Sequence, residues 1–316
     1  MRAPTAAASP ARSAARRAAV VVIALLAGVA VTASPAGAAG PVPVTVNASG
    51  ADAAVASSAG CPAGPLTDGR TLSGSDALAA GVFSSLPTQL AVNLPFRVGG
   101  TQAALPPDGT QVTLTNARGS VTVRLDGGGC DAPELSYNGT VASGVGTWQV
   151  VPDSTPTNAY RGTVGSGFFS VNADVTPGSG KSWGLDLLGN VEPLQPQVAV
   201  THRAYWGGLG NYLSRTLSVE YRIRNTGSGD AFNVKLLDAL PTGSGITRLG
   251  PVPQTVGAVR SGATASVVVR YRVCGIAVVG CRFTAGTQTS LTDALDGNLH
   301  TETVPVTVQV PVTPLP

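Results

Sequence analysis

Histidine and lysine are scarce in this chain, which has two histidines among 316 residues and lysine only at Lys181 and Lys235. A Ser–His–Asp hydrolase or a His/Cys zinc site needs imidazole groups close to its other members, and His202 and His300 are far from the four cysteines in the sequence. The Gly-x-Ser-x-Gly, phosphate-loop and His-Glu-x-x-His patterns are also absent. These absences argue against serine hydrolases, nucleotide-binding enzymes and metalloproteases, and the sequence predicts no cofactor.

The first 38 residues have the order of a secretory signal peptide. Arginines precede an apolar run over 18–31, and small residues follow at 36–38. The apolar run is short for a membrane span. We therefore expect cleavage after Ala38 and a secreted protein with no membrane span in its mature chain. Export by a twin-arginine route, suggested by Arg16-Arg17, and an uncleaved amino-terminal anchor are the alternatives.

Removal of the signal peptide reverses the charge of the chain. The full sequence has 20 basic and 17 acidic residues and a net charge of +3. Four arginines but no acidic residue lie in residues 1–38, so the mature chain has a net charge of −1. A nucleic-acid binder needs a concentrated basic surface, and no basic run occurs in the mature chain. We expect a monomer whose partner is an extracellular protein or a glycan rather than a nucleic acid.

The mature chain has the composition of an all-β protein. Glycine and proline are abundant, at 40 and 24 residues in the full sequence, and apolar stretches are short. We predict an all-β fold of two consecutive antiparallel β-sandwich domains, over 41–190 and 197–311. A proline-containing linker over 191–196 joins them, and 312–316 is a tail. Only 75–83 suggests a helical turn or two after the signal peptide.

Alternation of apolar and polar residues marks the predicted strands. It is clearest at Leu217–Arg224 and Val267–Val273, where alternate side chains point to opposite faces of a sheet. The predicted strands of the first domain are 42–46, 111–115, 120–125, 134–137, 147–151, 167–175 and 182–188. Those of the second are 197–202, 215–224, 232–237, 265–274, 282–288 and 303–310.

Four cysteines in an exported chain predict disulfide bonds. Cys61, Cys130, Cys274 and Cys281 allow three pairings. The predicted domain boundary favours Cys61–Cys130 together with Cys274–Cys281.

Turn motifs follow one another in a fixed order between Tyr221 and Val273. They are Asn225-Thr226-Gly227, Ala231, Val234, Asp238-Ala-Leu240-Pro241-Thr-Gly243, Val256-Gly257-Ala-Val259 and Gly262-Ala-Thr-Ala265. In this order they resemble the bacterial conserved-repeat Ig-like domains of secreted and surface proteins, which are related to the cell-adhesion-related domain. The resemblance implies an Ig-like sandwich over about 197–311 that acts as a spacer, adhesion or ligand-presenting module. Residues 41–190 do not repeat these motifs.

The segment 205–212 is the candidate ligand-binding site. Its candidate residues, three of them aromatic, are Tyr205, Trp206, Asn211 and Tyr212. Exposed aromatic rings stack on sugars or anchor protein partners. The alternative interpretation is that Trp206 packs over the end of its own sandwich or against the first domain.

Asp293 and Asp296 are the weak candidates for a metal site. Calcium prefers several oxygen ligands on a tight loop, but the alternating acidic spacing of such a loop is not met here. We therefore interpret 293–298 as an acidic turn and predict no metal. Leu240-Pro241-Thr242-Gly243 is likewise interpreted as a turn rather than a wall-sorting signal.

The sequence thus predicts a secreted, non-catalytic structural or adhesion-type module. It would be released, or held at the cell surface without a covalent anchor. One alternative is a carbohydrate- or cell-wall-binding protein that uses 205–212. Another is a secreted hydrolase with paired carboxylates in the first domain.

Overall fold

The computed structural model describes residues 41–56, 66, 68–79, 88–106, 110–176, 178–242, 245–273, 281–296 and 299–312. Strands contain most of the described residues, and the one helix among them has five residues. The predicted all-β, antiparallel fold is confirmed.

The described part of the chain forms nineteen strands and one short helix. The strands up to residue 192 are β1 (Val42–Ala56), β2 (Asp68–Ala79), β3 (Thr88–Gly99), β4 (Gln102–Ala104), β5 (Gln111–Asn116), β6 (Gly119–Asp126), β7 (Leu135–Tyr137), β8 (Val141–Val151), β9 (Val164–Asp174) and β10 (Gly178–Glu192). The later elements are β11 (Val198–Trp206), α1 (Leu209–Leu213), β12 (Thr216–Asn225), β13 (Ala231–Asp238), β14 (Pro241–Thr242), β15 (Thr247–Leu249), β16 (Gln254–Val259), β17 (Thr264–Arg272), β18 (Arg282–Thr292) and β19 (Leu299–Gln309).

The first ten strands form one closed antiparallel sheet. The order is β2-β1-β10-β9-β8-β6-β5-β3, and β3 pairs again with β2. The short strands β4 and β7 make a second connection, between β3 and β8. Alternate residues of these strands face inward and fill the space inside, including Phe96, Leu125, Trp148 and Leu185.

Trp148 fits into this core because glycines face it from two neighbouring strands. Its indole N–H donates to the carbonyls of Phe168 and Leu188, at 3.1 and 3.2 Å. A Cβ at Gly167 would lie 2.8 Å from the indole, and a Cβ at Gly189 would lie 2.6 Å from it. The two glycines therefore leave room for the ring to reach the backbone.

The remaining strands form two antiparallel sheets that face each other. One has the order β11-β12-β17-β15, and the other joins β16, β13, β18 and β19, with β14 beside β18. Tyr221 and Tyr271 from the first sheet and Phe283 and Val308 from the second lie in a shared core. This arrangement is a β-sandwich. Residues 193–197 separate its first strand from β10, and the first two residues of the predicted linker 191–196 belong to β10.

Two buried tyrosines connect this sandwich core to the Asp238–Pro241 turn. The hydroxyls of Tyr221 and Tyr271 are 2.7 Å apart, and Tyr271 donates to the carbonyl of Ala239 at 2.9 Å. Burial raises the pKa of Tyr271 to about 12, and it raises that of Tyr221 further. Both groups are therefore neutral hydrogen-bonding phenols at physiological pH.

Asn225 organises the turn that follows β12. Its amide group donates to the carbonyls of Gly229 and Val259, and its Oδ1 accepts from the N–H groups of Gly227 and Gln197. The side chain is fully buried, so these bonds replace those that it would make with water. These four hydrogen bonds explain why an asparagine occupies position 225.

Two ion pairs connect the first group of strands to the second. Arg161 donates to both carboxylate oxygens of Asp230, at 2.9 and 3.2 Å, and Asp230 also accepts from the N–H of Ser261. Arg118 pairs with Asp296 at 2.9 Å, and its guanidinium lies 4.3 Å from the ring centre of Phe232.

Apolar packing follows the same connection. Ala294 and Leu295, which lie just after β18, belong to the core cluster of the first ten strands. Arg118 donates to the carbonyl of Ala294 at 3.0 Å. Both groups of strands fall within one compact unit.

The predicted strands agree with the structure better than the predicted helical turn does. Each of the thirteen predicted strands overlaps an observed strand, whereas β2, β3 and the short β4, β14, β15 and β16 were not predicted. The helical turn at 75–83 was wrong where the structure describes it, since 75–79 belongs to β2. Pairing with β3 across 77–79 outweighs the helix propensity of alanine there.

Gly167→Ala is expected to destabilise the fold by about 1–3 kcal/mol, because its methyl group would collide with the backbone of β10 and with Trp148. Gly184→Ala is the matched control on the neighbouring strand, since a Cβ there meets nothing within 4 Å. Urea unfolding of both variants measures the difference. Equal stability of the two variants would show that Trp148 is not confined as described.

Asp230→Asn is expected to lower the free energy of unfolding by about 2 kcal/mol at neutral pH, because Arg161 loses its charged partner. Burial alone would raise the pKa of Asp230, but hydrogen bonds from Arg161 and Ser261 hold it below its usual 3.8. The stabilisation is therefore present above pH 3.8 and is lost as the pH falls below that value.

Urea unfolding of Asp230→Asn and the parent protein from pH 7 to pH 2 measures this effect. Glu220→Gln serves as the control, because it removes a carboxylate whose partner, Arg222, is exposed. A difference between parent and Asp230→Asn that stays constant down to pH 2 would contradict the assigned ion pair.

Candidate functional site

Trp206 ends β11 and lies in the core of the sandwich. It is 6% exposed, and its indole N–H donates to the carbonyl of Pro311 at 3.0 Å. The bond ties the end of β11 to the segment that follows β19. The ring packs over the end of its own sandwich, which leaves little of its face for stacking on a ligand.

Tyr212 and Arg215 cover Trp206 from the side of the helix. The Tyr212 ring meets the indole edge-on, with centroids 5.4 Å apart. The Arg215 guanidinium lies 4.8 Å from the centre of the Trp206 ring and 5.5 Å from that of Tyr212. Most of the aromatic surface of 205–212 is therefore used to close one end of the sandwich.

A concavity of about 330 Å³ lies beside this closed end. Its walls are formed by Arg203, Tyr205, Trp206, Glu220 and Val268. The strand register explains the grouping, because Arg203 on β11, Glu220 on β12 and Val268 on β17 are direct cross-strand partners. Tyr205 lies two residues after Arg203 on the same face of β11.

The four predicted site residues are thus divided by the structure. Tyr205 and Trp206 line the concavity, whereas Asn211 and Tyr212 are not among its lining residues. Asn211 lies within α1 near Gly207, where a Cβ would be 2.6 Å from its amide nitrogen. The proposal that these four residues bind a ligand stays a prediction.

Glu220 and the arginines around it give the concavity its charges. Arg222 donates to Glu220 at 3.0 Å, and this hydrogen bond is the main reason that the pKa of the carboxyl is lowered. The Arg203 charge lowers the pKa further, and its guanidinium lies 5.9 Å from the Tyr205 ring centre. The concavity therefore combines a carboxylate acceptor, a cationic donor and an aromatic ring.

Sequence reasoning did not find Arg203, Glu220 or Val268. They are far apart in the chain and are brought together only by the pairing of three strands. The alternation of β12 and β17 indicated which residues face outward, but the register between the strands was needed to place them side by side.

A second surface that the sequence did not reveal lies on the outer face of β8, β9 and β10. Phe168 is 70% exposed, and its cross-strand partner Leu188 is 54% exposed. Val145 on β8 is also exposed. The same face also carries the exposed carboxylate of Asp186, which accepts a hydrogen bond from Ser170 at 3.1 Å, so its apolar residues lie beside one acidic group.

Each of the two aspartates considered for a metal site accepts hydrogen bonds within the fold. Asp293 is fully buried, and its Oδ1 accepts the N–H of Leu295 at 2.9 Å. Asp296 pairs with Arg118 and accepts hydrogen bonds from Asn233 and Thr292. Within the described ranges, no group of three or more His, Cys, Asp or Glu side chains is placed to hold a metal ion.

The structure describes only two of the four cysteines. Neither Cys130 nor Cys281 is a free thiol. Cys61 and Cys274 lie outside the described residues. The pairing of the disulfides therefore stays a prediction, as does the signal peptide, which also lies outside the described residues.

Comparison of the sequence with protein-family models and with curated proteins finds no match. The resemblance to conserved-repeat Ig-like domains thus rests on the motifs of the chain alone. Among the described residues, no helix has the length and apolar character needed to cross a bilayer.

Trp206→Ala is expected to lower the free energy of unfolding by about 3–5 kcal/mol, because it removes a buried indole and leaves a cavity. Tyr205→Ala is the control, since it removes a neighbouring ring that lies on the outer face and is partly exposed. Thermal or urea unfolding provides the measurement. If both variants lost the same small amount, the indole would not be a core residue.

Proposed function

We propose that the chain is a secreted, non-catalytic module of the structural or adhesion type. Export would place the cysteines in an oxidising environment, where Cys61–Cys130 and Cys274–Cys281 would form. The observation that carries the proposal is the set of contacts between its two groups of strands. A module that bears load or presents a surface needs such contacts, because they keep its two groups of strands in one orientation.

The connection supports the proposal through the kind of contacts that form it. Arg161 and Arg118 each bridge to a carboxylate across the connection, at 2.9 Å in both cases. The Arg161–Asp230 pair is bidentate, and such a pair fixes orientation as well as distance. Leu295 adds a buried apolar contact in the core of the first strands, so polar and apolar contacts act together.

The use of carboxylates also supports a structural role. Asp126, Asp153, Asp174 and Asp238 each accept the backbone N–H of the second residue after them. Such bonds are typical of aspartates that stabilise turns. A glycosidase-type mechanism would instead need two carboxylates that flank a substrate.

The second candidate function is binding of a carbohydrate or of a cell wall. The specific observation that favours it is the concavity, where the Tyr205 ring lies beside Arg203 and Glu220. Sugar rings offer an apolar face for stacking and hydroxyls for hydrogen bonds, and these three side chains provide partners for both.

The test is a binding assay with the purified exported chain on intact bacterial cells, isolated envelopes and insoluble polysaccharides. We expect saturable binding to at least one of these surfaces and no release of soluble fragments from it. Absence of binding to all of them would contradict the adhesion proposal, and release of fragments would contradict the non-catalytic one.

Tyr205→Ala separates the two candidates in the same assay. Loss of binding to polysaccharide would favour the concavity as the binding site. Phe168→Ala is the matched control, because it removes an exposed ring from the surface formed by β8, β9 and β10.

A further inference from the structure

We propose that the outer face of the β11-β12-β17 sheet binds an acidic polysaccharide through a row of five arginines. The inference rests on the adhesion-type function proposed above and names the surface and the chemical class of its partner. The five residues, called the arginine row below, are Arg224, Arg222, Arg203, Arg270 and Arg272.

The strand register places these arginines in succession along the sheet. Each of five consecutive cross-strand rows on the outer face contains one of them, first on β12, then on β11 and finally on β17. Neighbouring rows are two residues apart, so at about 3.4 Å per residue the arginine row is about 27 Å long. The intervening residues, such as Tyr221 and Tyr271, face the core.

The arginine row is open to solvent and carries most of its charge unpaired. All five arginines are exposed. Arg222 pairs with Glu220, whereas Arg224, Arg270 and Arg272 have no ion pair among the described residues. Five like charges on one sheet face repel one another unless a partner neutralises them, and this indicates an anionic ligand.

The distribution of charge along the chain points in the same direction. Residues 197–311 have ten basic and six acidic side chains, whereas 41–190 have six basic and ten acidic. The net charge of the mature chain is near zero because a positive segment, 197–311, is balanced by a negative one, 41–190. Half of the ten basic residues of 197–311 lie in the arginine row. Among the paired residues of β11, β12 and β17 that face outward, Glu220 is the one acidic residue.

Glu220 and Tyr205 favour a polysaccharide over a nucleic acid. A continuous phosphate backbone would meet repulsion at the Glu220 carboxylate in the middle of the row, whereas sugar hydroxyls can donate to it. Single-stranded nucleic acids are held by several stacked aromatic rings, and Tyr205 is the one ring on this face in the described strands. The concavity accepts a sugar ring while the arginines on either side bind carboxylates.

Alginate oligosaccharides, in which every sugar bears a carboxylate, are the probe for this surface. Titration calorimetry with the purified exported chain at low and high salt measures affinity and its salt dependence. We expect binding that weakens as salt rises. The triple variant Arg224→Gln/Arg270→Gln/Arg272→Gln is expected to bind about tenfold more weakly or worse, since it removes three exposed charge contacts.

Arg124→Gln/Lys235→Gln is the control, because both side chains are exposed on other surfaces and have no ion pair among the described residues. It is expected to bind alginate like the parent chain. Circular dichroism and thermal unfolding establish that all variants remain folded. Neutral dextran is expected not to bind detectably, because it has no carboxylates for the arginines.

Four outcomes would overturn the inference. Unchanged affinity of the folded triple variant for alginate would remove the role of the arginine row. Tighter binding of single-stranded oligothymidylate than of alginate of equal charge would assign the row to nucleic acid. Self-association of the chain that the triple variant abolishes would assign it to a second copy. Envelope binding that survives in the triple variant would leave the adhesion function standing while refuting this surface.

Discussion

The two-residue period of the β-strand is the constraint on which this structure depends. It assigns every side chain of a strand to one of two faces, and the register between strands then decides which neighbours meet. Along β12 and β17 one face supplies Tyr221 and Tyr271 to the sandwich core. The other face carries the arginine row. One alternation therefore determines both the stability of the sandwich and the chemistry of its surface.

Two buried polar side chains of the sandwich lie next to strand ends, where they bond to the backbone of turns. Asn225 satisfies four backbone groups around its turn, and Asp230 receives both Arg161 and a backbone N–H. Such buried polar groups are costly unless every partner is present. The bonds of Asn225 hold the turn after β12, and those of Asp230 hold the two groups of strands together.

The fold class could be predicted from the sequence because strand alternation and turn residues are local signals. Val42–Val46 and Leu217–Arg224 carry a clear pattern, and both lie in observed strands. The helical turn was wrong because the alanines of β2 have little strand propensity, and only pairing with β3 makes them extended. The closed cycle of strand pairings has no local signal at all.

The candidate site could be predicted only in part, for the same reason. Tyr205 and Trp206 are conspicuous as aromatic residues next to glycines, but the sequence does not show which ring is buried. The hydrogen bond from Trp206 to Pro311 joins residues that are 105 positions apart. Arg203 and Glu220 became neighbours through the register of β11 and β12, which the composition of neither strand reveals.

The absence of a basic run, which argued against a nucleic-acid partner, does not by itself argue against a basic surface in a β protein. A search for a basic run assumes that neighbouring charges are neighbours in sequence. On a strand, consecutive residues face opposite ways, so a concentrated basic face needs arginines at alternate positions with apolar residues between them. Arg222-Ile223-Arg224 and Arg270-Tyr271-Arg272 have this form. Net charge near zero therefore does not argue against a polyanion-binding sheet, and the spacing of like charges is the informative quantity.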